Sequence, residues 1–140
     1  MQIREMDLTE LYTIYNLVSQ LRTELSYDEF EDLVYDMRDI NYKMFGILDG
    51  EKLISYAGIN IQTSFSYKRY LYIFDFLTDK NHNFEKYDSM MLEFLEDYAK
   101  IGICGKILFS SDSCLENSLI LNVENRYDKS TNLYERKLIG

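Results

Sequence analysis

Apolar positions recur at helical spacing twice near the start of this chain and at strand spacing after it. Past a short apolar start at Ile3, Asp7 and Glu10 form a D-x-x-E box ahead of Leu11, Ile14, Val18 and Leu21. That spacing predicts a capped helix running to Arg22 or Thr23. Ser26 and Glu29 repeat the box as S-x-x-E, and Phe30, Leu33, Val34 and Met37 follow on one face of a second helix. From Lys43 the period changes. KMFGIL, Asp49-Gly50 and KLISYAGINIQ read as a β-hairpin with a D-G turn, and Gly58 inside its second strand signals a bulge or a close backbone approach. A turn at Ser64–Lys68 leads into the strand Tyr70–Thr78, interrupted on its apolar side only by Asp75.

The stretch Tyr70–Lys100 organises the rest: a strand, a polar loop Asp79–Tyr87, and a helix from about Asp88 to Lys100. Met91, Leu92, Leu95 and Ala99 hold its buried face, and Gly102 sits where a left-handed cap belongs. Met90, Met91, Phe94 and Leu95 read as core. A strand at Lys106–Ser111, a helical segment at Leu115–Asn125 and a last strand near Asn132–Leu138 complete the chain. The expected order is ααβββαβαβ with room for an extra N-terminal strand. It is an α/β (α+β) sheet, mixed and mostly antiparallel, flanked by helices, in a single domain over residues 1–140.

Composition narrows the function classes. With 140 residues, 46% of them hydrophobic and 15% aromatic, the chain can build one sizeable core without staples. Cys104 and Cys114 therefore read as free thiols, and their spacing is not that of a metal site. A formal charge of −9 argues against a nucleic acid as partner. It favours a cationic small molecule or a basic protein patch. No apolar run approaches the ~20 residues that span a bilayer, and MQIREMD lacks the apolar segment of a signal peptide. The expectation is a cytoplasmic protein with no membrane partner. The acidic positions Asp28, Glu29, Glu31, Asp32 and Asp36 read as a solvated helix face.

Strand, loop and helix in that order deliver backbone amides to a helix N-terminus beside a strand end, a geometry that binds anions. The element order resembles the GNAT superfamily of acetyl-CoA-dependent N-acetyltransferases, particularly small bacterial single-domain members. The likeness is carried by LVSQLRTELSYDEF, MFGILDGEKLISYAGINI, LYIFDFLTDKN and LEFLEDYAK in register. It implies that the pantetheine arm of acetyl-CoA lies along the strand at Phe76, Leu77 and Thr78. The pyrophosphate then rests on the loop that the family marks R-x-x-G-x-G. In this chain those positions are Asn83, Phe84, Glu85, Lys86, Tyr87 and Asp88, followed by Ser89. The arginine and both glycines are replaced.

Lys86 places a side chain where backbone should close on phosphate, although its charge can partly replace the arginine. Asp88 at the expected helix start is read as accepting from the amides that would hold the pyrophosphate. The tyrosine that the family uses as an acid falls on Asn122, leaving Tyr127 and Tyr134 as candidate acids. Asp75 matches an acidic position of the family's fourth strand, the candidate base; the alternative is a structural aspartate at a bulge. His82, the only histidine, reads as a surface residue. No metal site is read.

Two functions stay open. One is an N-acetyltransferase carrying acetyl groups from acetyl-CoA to a small amine or a basic protein. The other is a non-catalytic pseudo-acetyltransferase without cofactor, an acidic module that binds a protein or ligand. A homodimer through the apolar Leu115–Val123 segment or the last strand is a third, narrower reading.

Overall fold

The computed structural model describes residues 1–121, 127–128 and 133–139. Its sheet has five strands in the order β1 (Gln2–Met6), β2 (Lys43–Asp49), β3 (Lys52–Ser64), β4 (Lys68–Thr78) and β5 (Lys106–Phe109). The first four pair antiparallel, and β5 lies parallel to β4 at Tyr70–Ile73. The extra N-terminal strand is present as β1. Helices α1 (Leu11–Val18) and α2 (Tyr27–Met37) cover one face and α3 (Phe84–Ile101) the other.

Both capping boxes form, at Asp7/Glu10 ahead of a short 3-10 turn and at Ser26/Glu29 ahead of α2. The first helix ends at Val18, not at Arg22. There the backbone bonds become mixed, Gln20 N–H to Leu17 O and Leu21 N–H to Val18 O in 3-10 fashion and Arg22 N–H to Val18 O closing the last turn. The hairpin turn is tight, with Gly50 at φ +63° between the paired residues Asp49 and Lys52.

Two cores sandwich the sheet. Met91 and Leu95 of α3 are fully buried on Ile47, Ile59, Leu71 and Ile73, each contributing about 1.5–3 kcal/mol of burial. On the other face Leu11, Ile14, Val18, Phe30 and Val34 pack on Met44, Leu48, Tyr56 and Leu77.

The C-terminal third departs from expectation. Of the segment read as a helix at Leu115–Asn125, the described residues 115–121 hold a 3-10 turn at Leu119–Leu121, and the rest lies outside the described residues. Leu133–Ile139 form no strand, so the strand expected at Asn132–Leu138 is absent where it is described. Leu133, Tyr134, Leu138 and Ile139 face solvent there.

Helix α3 also starts one turn earlier than the apolar pattern indicates, because Asn83 caps it, its side-chain oxygen accepting from Lys86 N–H. Its C-terminus holds a Schellman arrangement, Cys104 N–H to Ala99 O, and the left-handed residue is Ile103 at φ +59°, not Gly102 at φ −77°. A β-branched residue pays a steric cost there of about 1–2 kcal/mol. Ile103→Gly should stabilise the fold by about 1 kcal/mol in urea unfolding. An unchanged or lower midpoint would show that Ile103 is not strained.

Candidate functional site

A strand alternates its side chains, so Leu71 and Ile73, which pack under α3, would carry a residue 75 to the same face. The sequence at that position is an aspartate. Register resolves the conflict. Gly58 pairs with Asp75 and Ile59 with Ile73, leaving Phe74 as the extra residue of a β-bulge. After the bulge Phe76 returns to the α3 core, while Phe74 and Asp75 both line a cleft on the α1–α2 side.

Gly58 has a second duty. A Cβ there would lie 2.5 Å from Tyr42 Cζ, so the missing side chain is the space that the Tyr42 ring fills. Tyr42 OH is 2.7 Å from Tyr56 OH, and the Tyr42 ring stands edge-on to Phe74. Burial, reinforced by the negative charge of Asp75, pushes the Tyr42 phenol well above its ordinary value. Both phenols therefore stay neutral, one donating to the other.

The cleft holds about 580 Å³. Its walls are Val18, Leu21, Leu25, Phe30, Leu33 and Phe74, with Glu24 and Glu29 also on its lining. At its floor Arg22 donates twice to Asp75 Oδ1, from Nε at 2.9 Å and Nη2 at 2.7 Å, and once to Phe74 O at 3.3 Å. The early end of α1 allows this reach. Asp75 Oδ2 carries no hydrogen bond among those identified in the described residues. Desolvation raises the Asp75 pKa and Arg22 offsets part of that rise. The site is thus an apolar cleft with a partly buried carboxylate at its base.

Among the described residues the opposite side of β4 is narrow. The gap between β4 and the chain after β5 is a groove of about 80 Å³ lined by Leu77, Thr78, His82, Phe84, Leu115 and Ser118, among others. Cys114 bridges Phe76 in parallel fashion, using backbone of the strand. Asp88 is buried, accepting from Thr78 Oγ1 at 2.7 Å and Ser118 Oγ at 3.2 Å. Since Thr78 gives its proton to Asp88, Ser55 donates to Thr78 across 2.6 Å. Ser113 Oγ adds a bond to Ile73 O at 3.1 Å.

This corrects the reading of Asp88. It lies in the second turn of α3 and points inward, and Asn83 is the residue that takes a helix-start amide. Lys86 is exposed with its ammonium 5.2 Å from the centre of the Tyr87 ring, Tyr87 is buried, and Ser89 faces solvent. Tyr127 donates to Glu96 at 2.9 Å and stands against Phe109, on the α3 side of the sheet. Tyr134 is exposed, and neither tyrosine lines the Asp75 cleft. The tyrosines beside Asp75 are Tyr42 and Tyr56, and Gly58 was the signal for them in the sequence. Asn122 lies outside the described residues. His82 Nδ1 is 3.6 Å from Asp79 Oδ2, and Cys114, a free thiol, is pushed up to about 11 by burial.

Two outcomes follow from this geometry. Gly58→Ala should destabilise the protein by about 1–3 kcal/mol, since the Tyr42 ring must be displaced; wild-type stability would refute that packing. The Asp75 carboxyl titrates above its ordinary 3.8, so its protonation favours the fold. That contribution is full below the unfolded pKa and disappears as pH rises through the folded value. Arg22→Ala removes the counteracting cation, so NMR titration should place Asp75 higher still, and the stability gap to wild type should widen with rising pH. A midpoint that falls would contradict the pairing.

No family model and no curated protein matches the sequence. Solved structures do match it over the whole chain. Ribosomal-protein-alanine N-acetyltransferase from Brucella melitensis biovar Abortus superposes with a TM-score of 0.81 at 11% identity, covering 99% of this chain and 100% of that one. A predicted acetyltransferase from Clostridium acetobutylicum, whose structure is described with acetyl-CoA, gives 0.78 at 14% identity, covering 98% and 96%. A GNAT family acetyltransferase from Staphylococcus aureus gives 0.73 at 16% identity, covering 98% of both chains. Identities this low report the fold and nothing finer. The chain has the fold of the GNAT acetyltransferases.

Proposed function

We propose that this chain is a non-catalytic relative of the acetyltransferases whose fold it shares, a module that binds an amine-bearing cation in the Asp75 cleft. The observation that carries this reading is the narrow groove between β4 and the chain after β5. A pantetheine arm along β4 needs the backbone of Phe76 to Thr78, and Cys114 bridges that backbone at Phe76. The small groove left over does not fit the arm. The loop does not fit the pyrophosphate either. Asn83 takes a helix-start amide, Lys86 stands where a glycine is needed, and Glu85 adds negative charge at the helix start. A phosphate within ~4 Å of a carboxylate meets a repulsion of a few kcal/mol in a surface-like dielectric.

The cleft favours an amine on three counts. Asp75 presents Oδ2 as an acceptor, Glu24 and Glu29 set the sign of the field, and the apolar walls suit the body of the ligand. A small aryl or alkyl amine fits this description, as does a basic side chain of a protein.

Acetyl transfer from acetyl-CoA is the second reading. Asp75 favours it, since a carboxylate with a raised pKa beside an open cleft suits a general base. Calorimetric titration separates the two. Acetyl-CoA and CoA should give no saturable heat at millimolar concentration, whereas benzylamine or a lysine-rich peptide should bind and lose that binding in Asp75→Asn. Micromolar binding of acetyl-CoA, followed by acetylation of an amine, would make the second reading the right one.

A further inference from the structure

The overall acidity of the chain conceals a local reversal. Residues 52–74 and 98–111 contain no Asp or Glu, although the chain holds 24 such residues. The fold brings parts of these two stretches together at one end of the sheet. The β3–β4 turn and the α3–β5 turn lie side by side there, tied by Arg69 Nε to Gly102 O at 2.6 Å and by Gly105 N–H to Arg69 O at 2.9 Å. Lys106 Nζ stands 5.3 Å from the centre of the Tyr67 ring, adding a third tie. Lys68, Arg69, Lys100 and Lys106 are all exposed at this end, and Asp97, in the last turn of α3, is the nearest acid in sequence.

The same two turns expose the largest apolar side chains of the sheet end. Phe65 is 107% exposed, Ile101 84% and Ile103 82%. None of the three lines either cleft described above. Lys68 at φ +58° and Ile103 at φ +59° are both non-glycine residues in the left-handed region, one in each turn.

We propose that this end of the sheet is a docking surface for an anionic lipid membrane. Projecting apolar residues ringed by cations match a deformable surface that is negative outside and apolar within. A folded protein partner would have to supply a concave pocket for each protruding side chain. Among the described residues no helix is long and apolar enough to cross a membrane, so the contact proposed is peripheral. Phe65, Ile101 and Ile103 enter the headgroup boundary while the four cations meet lipid phosphates.

Co-sedimentation of the full chain with vesicles tests this. One set is phosphatidylcholine alone and the other phosphatidylcholine with an equal part of phosphatidylglycerol. The chain should partition onto the anionic vesicles at low salt, release as salt rises, and ignore the neutral ones. Phe65→Ser should weaken binding about tenfold. Lys100→Gln with Lys106→Gln should weaken it about 25-fold, about fivefold for each cation near the surface. Ile103→Gly removes an apolar contact while relieving the turn, so it should bind less well yet remain folded. Circular dichroism on each variant separates lost binding from lost fold. No partition onto anionic vesicles at low salt overturns the proposal, as does partition that folded variants leave unchanged. Binding to a short RNA duplex with none to vesicles overturns it too.

Discussion

The bulge at Phe74 is the constraint on which the site depends. Without it, strand alternation would drive the Asp75 carboxylate into the apolar layer beneath α3, where an unpaired charge is strongly unfavourable. With it, Phe74 and Asp75 share the α1–α2 face and Phe76 resumes the core. Gly58 makes the opposite side of the bulge thin enough for Tyr42 to lie across it. The early end of α1 then lets Arg22 reach the carboxylate. Strand register, a missing side chain and a helix terminus thus converge on one oxygen pair.

The two sides of β4 have opposite characters. On the α1–α2 side the walls are apolar and the floor is polar, leaving a cleft. On the α3 side Asp88 gathers hydroxyls from β4 and from the chain after β5 and narrows the gap. A buried carboxylate is tolerated only with such partners. Thr78 and Ser118 meet that requirement, with Ser55 bonded to Thr78 behind them, and meeting it holds the segment around Cys114 against Phe76. Asp88 therefore has a structural consequence beyond its charge. It supplies the centre of a polar network between the strand and the chain that follows β5.

Much of the fold was legible along the chain, because capping boxes, the hairpin and the apolar stripe of α3 are local patterns. The boxes at Asp7/Glu10 and Ser26/Glu29 formed as written, and Gly58, read as a bulge or a close backbone approach, lies opposite the β4 bulge and leaves its space to Tyr42. The end of α1 was not legible, since the apolar spacing through Leu21 continues past the point where the backbone turns. Nor was the role of Asp88. The sequence placed it at a helix start, and an asparagine five residues earlier had already begun the helix. Leu133–Ile139 carries apolar residues suited to a strand, but a strand exists only by pairing, and pairing is not written in one segment.

What the sequence determined by itself was the order of elements through β5, the faces that become core, and the residues available for chemistry. Periodicity and capping are short-range properties, satisfied within a few residues of one another. Tertiary structure alone decided which side of β4 Asp75 faces, that Arg22 and Tyr42 surround it, and that Cys114 narrows the groove. It also decided that parts of two acid-free stretches meet at one end of the sheet. Each of these depends on register and on contacts between residues far apart in the chain, and a one-residue shift in a strand reverses every face it presents.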